Sequence, residues 1–240
     1  MLYAVLGDIH GNLHAFEAVM DDVDEAGVDH VLCVGDVVGY GAYPAECLEM
    51  IRETGATVVA GNHDWATVGK VGIDYFNADA RDSIEWTQGA LDEENLQWLT
   101  NRDLVATVDG MTLVHSTLFS PEYFDYMQTL YDVRLSFDHL ETRVAFCGHS
   151  HVPVMFFDTD PVDCFLKPEV QLPADTRAII NVGSVGQPRD LDPRACYCLY
   201  DTDEQTVYLR RVEYDIHSAS ESIVEAGLPT TNAARLVLGR

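Results

Sequence analysis

An α/β fold is predicted by three observations. Six short apolar runs, bounded by Gly, Asn or Asp, recur along the chain: "YAVLGD" (3–8), "HVLCVGD" (30–36), "ATVVAGN" (56–62), "MTLVHS" (111–116), "VAFCGHS" (144–150) and "AIINVGS" (178–184). Runs of this length suit strands buried on both faces. The first three are separated by segments whose apolar residues recur at helical spacing. The distances of 28 residues from Asp8 to Asp36 and 27 from Asp36 to His63 match βαβ units of about 30 residues.

Each element has a local cause. Leu13, Phe16, Val19, Met20 and Val23 form one helical stripe, closed by Gly27, because glycine readily ends a helix in the left-handed conformation. "YPAECLEMIRETG" repeats the pattern with Pro44 early and Gly55 late, the expected asymmetry of proline starts and glycine stops. Residues 65–105 also read as helical. Asn77 is placed to cap one helix carrying Ala80, Ile84, Thr87 and Leu91, and Asp92 to cap another carrying Leu96 and Leu99. From about residue 153 onward, "VPVMFFD", "CYCLYD" and "TVYLRRVEYD" alternate as antiparallel strands do, and 217–240 read as one or two closing helices. There are no repeats or linkers, so residues 1–240 are expected to form a single domain containing the 65–105 helical segment.

Composition narrows the function. The formal net charge is -26, and lysine occurs only at positions 70 and 167. A nucleic-acid surface or an anionic membrane surface needs basic patches, so both are disfavoured as partners. No apolar stretch approaches a membrane span, and "MLYAVLGDIHGN" lacks a basic leader, which makes a cytoplasmic location the default. The six cysteines do not suggest a disulfide framework. Cys33 and Cys147 lie inside apolar runs, and Cys196 and Cys198 in "ACYCLY" point to one face of a strand, as buried free thiols do.

The apolar runs share an ending. Asp8 and His10 follow the first, Asp36 the second, Asn62 and His63 the third, His115 the fourth, and His149 and His151 the fifth. Singly, each has a bland reading: a strand-end Asp is commonly a helix cap, a lone His a hydrogen-bonded structural residue, and "GNHD" a turn. Jointly they place carboxylates, imidazoles and an amide beyond the carboxyl ends of five strands, where ligands of α/β sheets bind.

In order, "GDIHGN", "GDVVGYG", "GNHD", "VHS" and "GHSH" resemble the calcineurin-like metallophosphoesterase superfamily, over roughly residues 3–190 and including "NVGSVGQPRD". The resemblance implies two stacked mixed β-sheets flanked by helices, an α/β/β/α sandwich, with a two-metal centre between loops. It also implies that Asp8, His10, Asp36 and His151 hold one divalent ion and that Asp36, Asn62, His115 and His149 hold the other, with Asp36 bridging. His63 would stay free to meet substrate. The donor chemistry agrees: imidazole, carboxylate and neutral amide suit Mn²⁺ or Fe, with Zn²⁺ and Ni²⁺ as alternatives. Two ions so bridged clamp an in-line phosphoryl displacement by a shared, deprotonated water. The expected activity is hydrolysis of phosphate esters or anhydrides, as a phosphodiesterase or nucleotide-directed enzyme. A phosphomonoesterase or phosphoprotein phosphatase, and a non-catalytic metal-bearing scaffold, are the alternatives.

The chain departs from its relatives at one motif. Phosphoprotein phosphatases and symmetrical dinucleoside tetraphosphatases carry "GDxVDRG", whereas this chain has "GDVVGYG". Gly39 stands where an Asp would orient the catalytic histidine, and Tyr40 where an Arg would grip phosphate. Arg189 is a candidate replacement cation, against the alternative of a structural salt bridge. Tyr123, Phe124 and Tyr126 follow His115 on a loop, where they would stack a nucleobase or pack as a lid. A small phosphorylated substrate, a nucleotide among the candidates, is the expected partner.

Overall fold

The computed structural model describes residues 1–240. In chain order the elements are β1 (Leu2–Leu6), α1 (Leu13–Ala26), β2 (His30–Cys33), α2 (Pro44–Glu53), β3 (Thr57–Val58), α3 (Asn62–Thr67), α4 (Ala78–Ala90) and α5 (Glu93–Thr100). Then come β4 (Val105–Val108), β5 (Met111–Val114), α6 (Leu130–His139), β6 (Val144–Cys147), β7 (Val154–Phe157), β8 (Asp163–Phe165) and β9 (Glu169–Gln171). β10 (Ala178–Asn181), β11 (Ala195–Asp201), β12 (Thr206–Val212), α7 (Ile216–Glu225) and α8 (Thr230–Leu238) complete the chain.

The strands form two six-stranded mixed sheets, ordered β3-β2-β1-β11-β12-β9 and β4-β5-β6-β10-β7-β8. In β1, Ala4 and Leu6 face α1 and α2, where they meet Phe16, Val19, Leu48 and Ile51. Tyr3 and Val5 face the second sheet, against Leu113, Phe146 and Ile180. The back of that sheet, at Ala145, Cys147 and Ile179, is covered by Val133 and Phe137 of α6. The result is helix, sheet, sheet and helix in layers, as the resemblance implied. Because every central strand is buried on both faces, its sequence is a continuous apolar run rather than an alternation.

The predicted caps are present. Asn77 accepts from the Ala80 amide at 3.0 Å and Asp92 from Asn95 at 2.9 Å; Asn12, not named from the sequence, caps α1 by accepting from Ala15 at 3.2 Å. Cys196 and Cys198 are buried on one face of β11, and all six cysteines are unpaired. The third apolar run is shorter than expected. The Ala60 amide is claimed by the Asp103 carbonyl at 2.8 Å, and Gly61 already caps α3, so only Thr57–Val58 pair with β2. Besides the short strands β8 and β9, two features were not named from the sequence. One is the β4–β5 hairpin, which turns at Asp109–Gly110 with both residues at positive φ, the signature of a tight Asp-Gly turn. The other is α6, which Thr129 and Asp132 start with a capping box. No helix is long and apolar enough to cross a membrane.

Candidate metal centre and substrate cavity

The parallel strands β1, β2 and β3 of one sheet and β5, β6 and β10 of the other end at the same side of the sandwich, and the loops that leave them converge. Asp8, His10, Asp36, His149 and His151 all hold positive φ, at 52°, 52°, 54°, 67° and 57°. Left-handed backbone at a non-glycine residue costs of order 1 kcal/mol or more, and surrounding structure must enforce it. The enforcement is visible. Asp64 accepts from the amides of Asp36, Val37, Val38 and Gly61 at 2.8, 3.0, 3.3 and 3.0 Å. The His149 amide donates to Asp8 Oδ2 at 3.0 Å, and Ser184 Oγ donates to the Asp8 carbonyl at 2.8 Å. Gly61 and Gly148 are required by close approach: a Cβ on either would collide with the carboxylate of Asp36 or Asp8.

Three groups of converging donors result, all buried: Asp8, His10 and His151 in one nest, Asp36, His115 and His149 in a second, and His10, Asp36 and His63 where the two adjoin. In the first, the Nε2 atoms of His10 and His151 are 3.1 Å apart, and His151 Nε2 is 3.2 Å from Asp8 Oδ1. In the second, His115 Nε2 lies 3.1 Å from both His149 Nδ1 and Asn62 Oδ1. Asp36 Oδ2 stands between the nests, 3.6 Å from His10 Nε2 and 3.3 Å from His115 Nε2.

The side chains fit divalent cations. His10, His115 and His151 each direct Nδ1 at a backbone carbonyl, of Val38, Val34 and Gln187, at 3.0, 2.8 and 2.6 Å. A neutral imidazole that donates from Nδ1 has a bare lone pair at Nε2. Bare Nε2 atoms of His10 and His151 at 3.1 Å would repel unless a cation lay between them. Neighbouring ligands about 3 Å apart are what metal–ligand bonds of about 2.1 Å produce. Moreover, no Lys or Arg lies within 4.0 Å of Asp8 or Asp36, though both are fully buried. Buried carboxylates need a counter-charge. Burial opposes the charged form of Asp36, yet His115, His63 and His10 outweigh it and hold its carboxyl well below the usual range. Burial pushes His10 and His149 well below the ordinary imidazole value and lowers His151 too. His115 goes the other way, to about 9: Asp36 and Asp8 overcome its burial, so a proton stands where positive charge is called for.

The residues of this chain match the description "Calcineurin-like phosphoesterase superfamily domain" from 1 to 205. The chain belongs to that superfamily. It is a metallophosphoesterase, a hydrolase. It is 38% identical to an uncharacterized protein of Methanocaldococcus jannaschii over 100% of this chain and 98% of that one. The crystal structure of a metallophosphoesterase from Sphaerobacter thermophilus superposes with a TM-score of 0.89 at 37% identity, covering 100% and 99% of the two chains. A symmetrical bis(5'-nucleosyl)-tetraphosphatase of Methylobacillus flagellatus is 32% identical over 48% of this chain and 43% of that enzyme.

Beside the nests, this phosphoesterase has a cavity of about 580 Å³, lined among others by Asp36, Asn62, His63, His149, His151 and Arg189. His63 is packed rather than hydrogen-bonded into place. Its ring lies 4.5 Å from that of Tyr40, 4.9 Å from His10 and 5.2 Å from Phe76. Its Nδ1 is buried without a partner, and a Cβ on Gly39 would lie 2.5 Å from that atom. The imidazole therefore occupies the space into which an aspartate at position 39 would reach. Burial lowers its pKa to about 4 against the pull of Asp36.

Arg189 makes no salt bridge. It donates to Gln187 Oε1 at 2.8 Å, sits 5.7 Å over the Tyr40 ring, and leaves Nε buried and unpartnered. Tyr123 is exposed at the cavity mouth, whereas Tyr126 is stacked on His149 with ring centroids 4.0 Å apart. Phe124 is buried edge-on to Trp65 and His115. Of the three loop aromatics expected to stack or to pack as a lid, Tyr126 and Phe124 therefore lie against histidines of the nests, and Tyr123 stands at the mouth. Asp64, Gln187, Tyr75 and Phe76 were not singled out for roles here. The signal for Asp64 was its place in "GNHD"; Tyr75 and Phe76 carry no motif and reach the cavity only through the turn at Ile73–Tyr75.

Proposed function

We propose that this metallophosphoesterase hydrolyses small phosphodiesters or nucleotide anhydrides with two divalent ions, Mn²⁺ or Fe before Zn²⁺ or Ni²⁺. Asp8, His10, Asp36 and His151 would hold one, and Asp36, Asn62, His115 and His149 the other. The observation that carries the reading is Asp36 Oδ2 poised between two imidazole nests, 3.6 and 3.3 Å from one histidine of each. When bound, such ions supply an ionised water as nucleophile and positive charge for the oxygens of phosphorus.

The chain's own groups do the rest. Burial keeps His63 neutral, and with no acceptor at Nδ1 its proton is free to sit at Nε2, from which it would hydrogen-bond to the departing oxygen and stabilise the charge developing there while solvent water supplies the proton. Water adds to phosphorus, the P–O bond to the leaving group breaks, and an alcohol and a phosphomonoester leave from a diester. Arg189 lines the cavity without a salt bridge and would offer its guanidinium to a phosphoryl oxygen. Tyr40, standing where relatives of the phosphoprotein type carry Arg, removes the bidentate grip that a terminal dianionic phosphate would need. The tetraphosphatase likeness supports a nucleotide substrate, and six unpaired cysteines support a reducing, cytoplasmic setting.

The test compares bis(p-nitrophenyl) phosphate with p-nitrophenyl phosphate after loading with Mn²⁺, Fe²⁺, Zn²⁺ or Ni²⁺. The expected result is two ions per chain and higher kcat/KM for the diester. A tenfold preference for the monoester, about 1.4 kcal/mol in the wrong direction, would overturn it.

A further inference from the structure

The cavity beside the nests has an uneven charge pattern that bears on which phosphate compound enters. Arg189 is the only Lys or Arg in its lining. The loop that packs Tyr126 on His149 and Phe124 edge-on to His115 also brings Glu122 and Asp125, both exposed, on either side of Tyr123 and Phe124. Neither carboxylate is in a salt bridge. The same mouth carries Tyr75 and Tyr123, two of the most exposed aromatic side chains of the chain at 96% and 72%. Exposed aromatics are normally unfavourable places for apolar surface, and at the mouth of a cavity they are stacking platforms for a planar group.

We infer that the substrate carries a single phosphoryl group joined to a neutral nucleoside arm, and that the carboxylates of Glu122 and Asp125 select against polyphosphates. This rests on the function proposed above and narrows it. Two divalent ions with Asp8 and Asp36 leave about two positive charges by counting, and Arg189 adds one, all at the inner end. One phosphoryl group uses that charge. A second or third phosphate would extend outward to the carboxylates of the loop, on a chain whose net charge is already -26, and like charges there repel. A nucleobase in that position instead stacks on Tyr75 or Tyr123 and offers N–H donors to the side-chain oxygens of Glu122 and Asp125. Nucleoside phosphodiesters satisfy both ends; dinucleoside tetraphosphates satisfy only the aromatic one.

Calorimetric binding to the Mn²⁺-loaded protein, at fixed free Mn²⁺, tests this without turnover. The probes are methyl phosphate, AMP and α,β-methylene-ADP, whose P–C–P link resists hydrolysis. AMP is expected to bind about tenfold tighter than methyl phosphate, the lower range of one stacked base, and Tyr75→Ser with Tyr123→Ser to erase most of that gain. α,β-Methylene-ADP is expected to bind no tighter than AMP, and Glu122→Gln with Asp125→Asn to shift that ratio at least about threefold toward the diphosphate, as two screened rim charges allow. The inference is overturned if the second phosphate tightens wild-type binding tenfold, if the double amide variant leaves the ratio unmoved, or if AMP and methyl phosphate bind alike. Failure to hydrolyse bis(p-nitrophenyl) phosphate would instead overturn the proposed function, and these binding ratios remain readable in that case.

Discussion

Replacing Gly39 with alanine puts a methyl carbon 2.5 Å from Nδ1 and 3.0 Å from Cγ of His63, where ordinary contact begins at 3.4 Å. Gly39 is held by its neighbours at φ 94°, so the backbone has little room to yield and the imidazole must move by about 0.9 Å. No hydrogen bond at Nδ1 opposes that shift; the packing of Tyr40, His10 and Phe76 does. A catalytic group misplaced by about 1 Å costs on the order of 10² in rate, about 2.7 kcal/mol of transition-state stabilisation. The left-handed φ adds about 1–3 kcal/mol of strain to the folded state, which lowers Tm by roughly 2–4 °C per kcal/mol at this chain length. The assay is kcat on bis(p-nitrophenyl) phosphate alongside metal content by elemental analysis, with His63→Asn as the reference for full loss of the imidazole. Gly39→Ala should lose about 10² in kcat while keeping both ions. A variant within threefold of wild type, or one that loses metal and activity in equal measure, would refute the idea that contact with residue 39 positions His63.

Other perturbations follow from the same geometry. Asp36→Asn keeps the shape of the bridging side chain but removes its charge, so elemental analysis should find both ions depleted, whereas loss of one alone would place the bridge elsewhere. Asp64→Ala strands four buried amides that now donate to one carboxylate; at about 1–3 kcal/mol for each unsatisfied group, not fully additive, urea titration should show at least about 3 kcal/mol of lost stability. At the far side of the molecule, Arg210 and Tyr197 hold the Asp22 carboxyl below its ordinary value of 3.8, with Arg210 Nη2 at 2.6 Å and the Tyr197 hydroxyl at 2.6 Å. A depressed folded-state pKa gives stability that is present above the unfolded value and lost as pH falls through the folded one. Thermal melts between pH 5 and 2 should therefore fall less steeply for Asp22→Asn than for wild type.

Much of this molecule is legible in its sequence because burial leaves a direct record. β1, β2, β5, β6 and β10 lie between two other layers, so their buried positions are almost all apolar, and the polar side chains that follow β1, β2, β5 and β6 are the ones delivered to the site. That is why Asp8, Asp36, His115 and His149 stand out without any knowledge of how the strands pair. Helix caps are equally local: Asn77 and Asp92 each bond an amide three residues on, and spacing alone predicts them. The sequence by itself could not decide what depends on contacts between distant segments. The role of Asp64 arises because the loop at 36–38 folds over α3 and exhausts its carboxylate on backbone amides. The vacancy at position 39 reads as a missing aspartate, but only the tertiary structure shows that the imidazole of His63 fills that space. Arg189 reads as a candidate ion-pair partner, and only the packing of Tyr40 and Gln187 leaves its Nε without one. Tyr75 and Phe76, like Glu122 and Asp125, carry no motif. They become cavity walls because two short turns, remote in sequence, are brought beside the same strand ends, and proximity of that kind is a property of the folded chain.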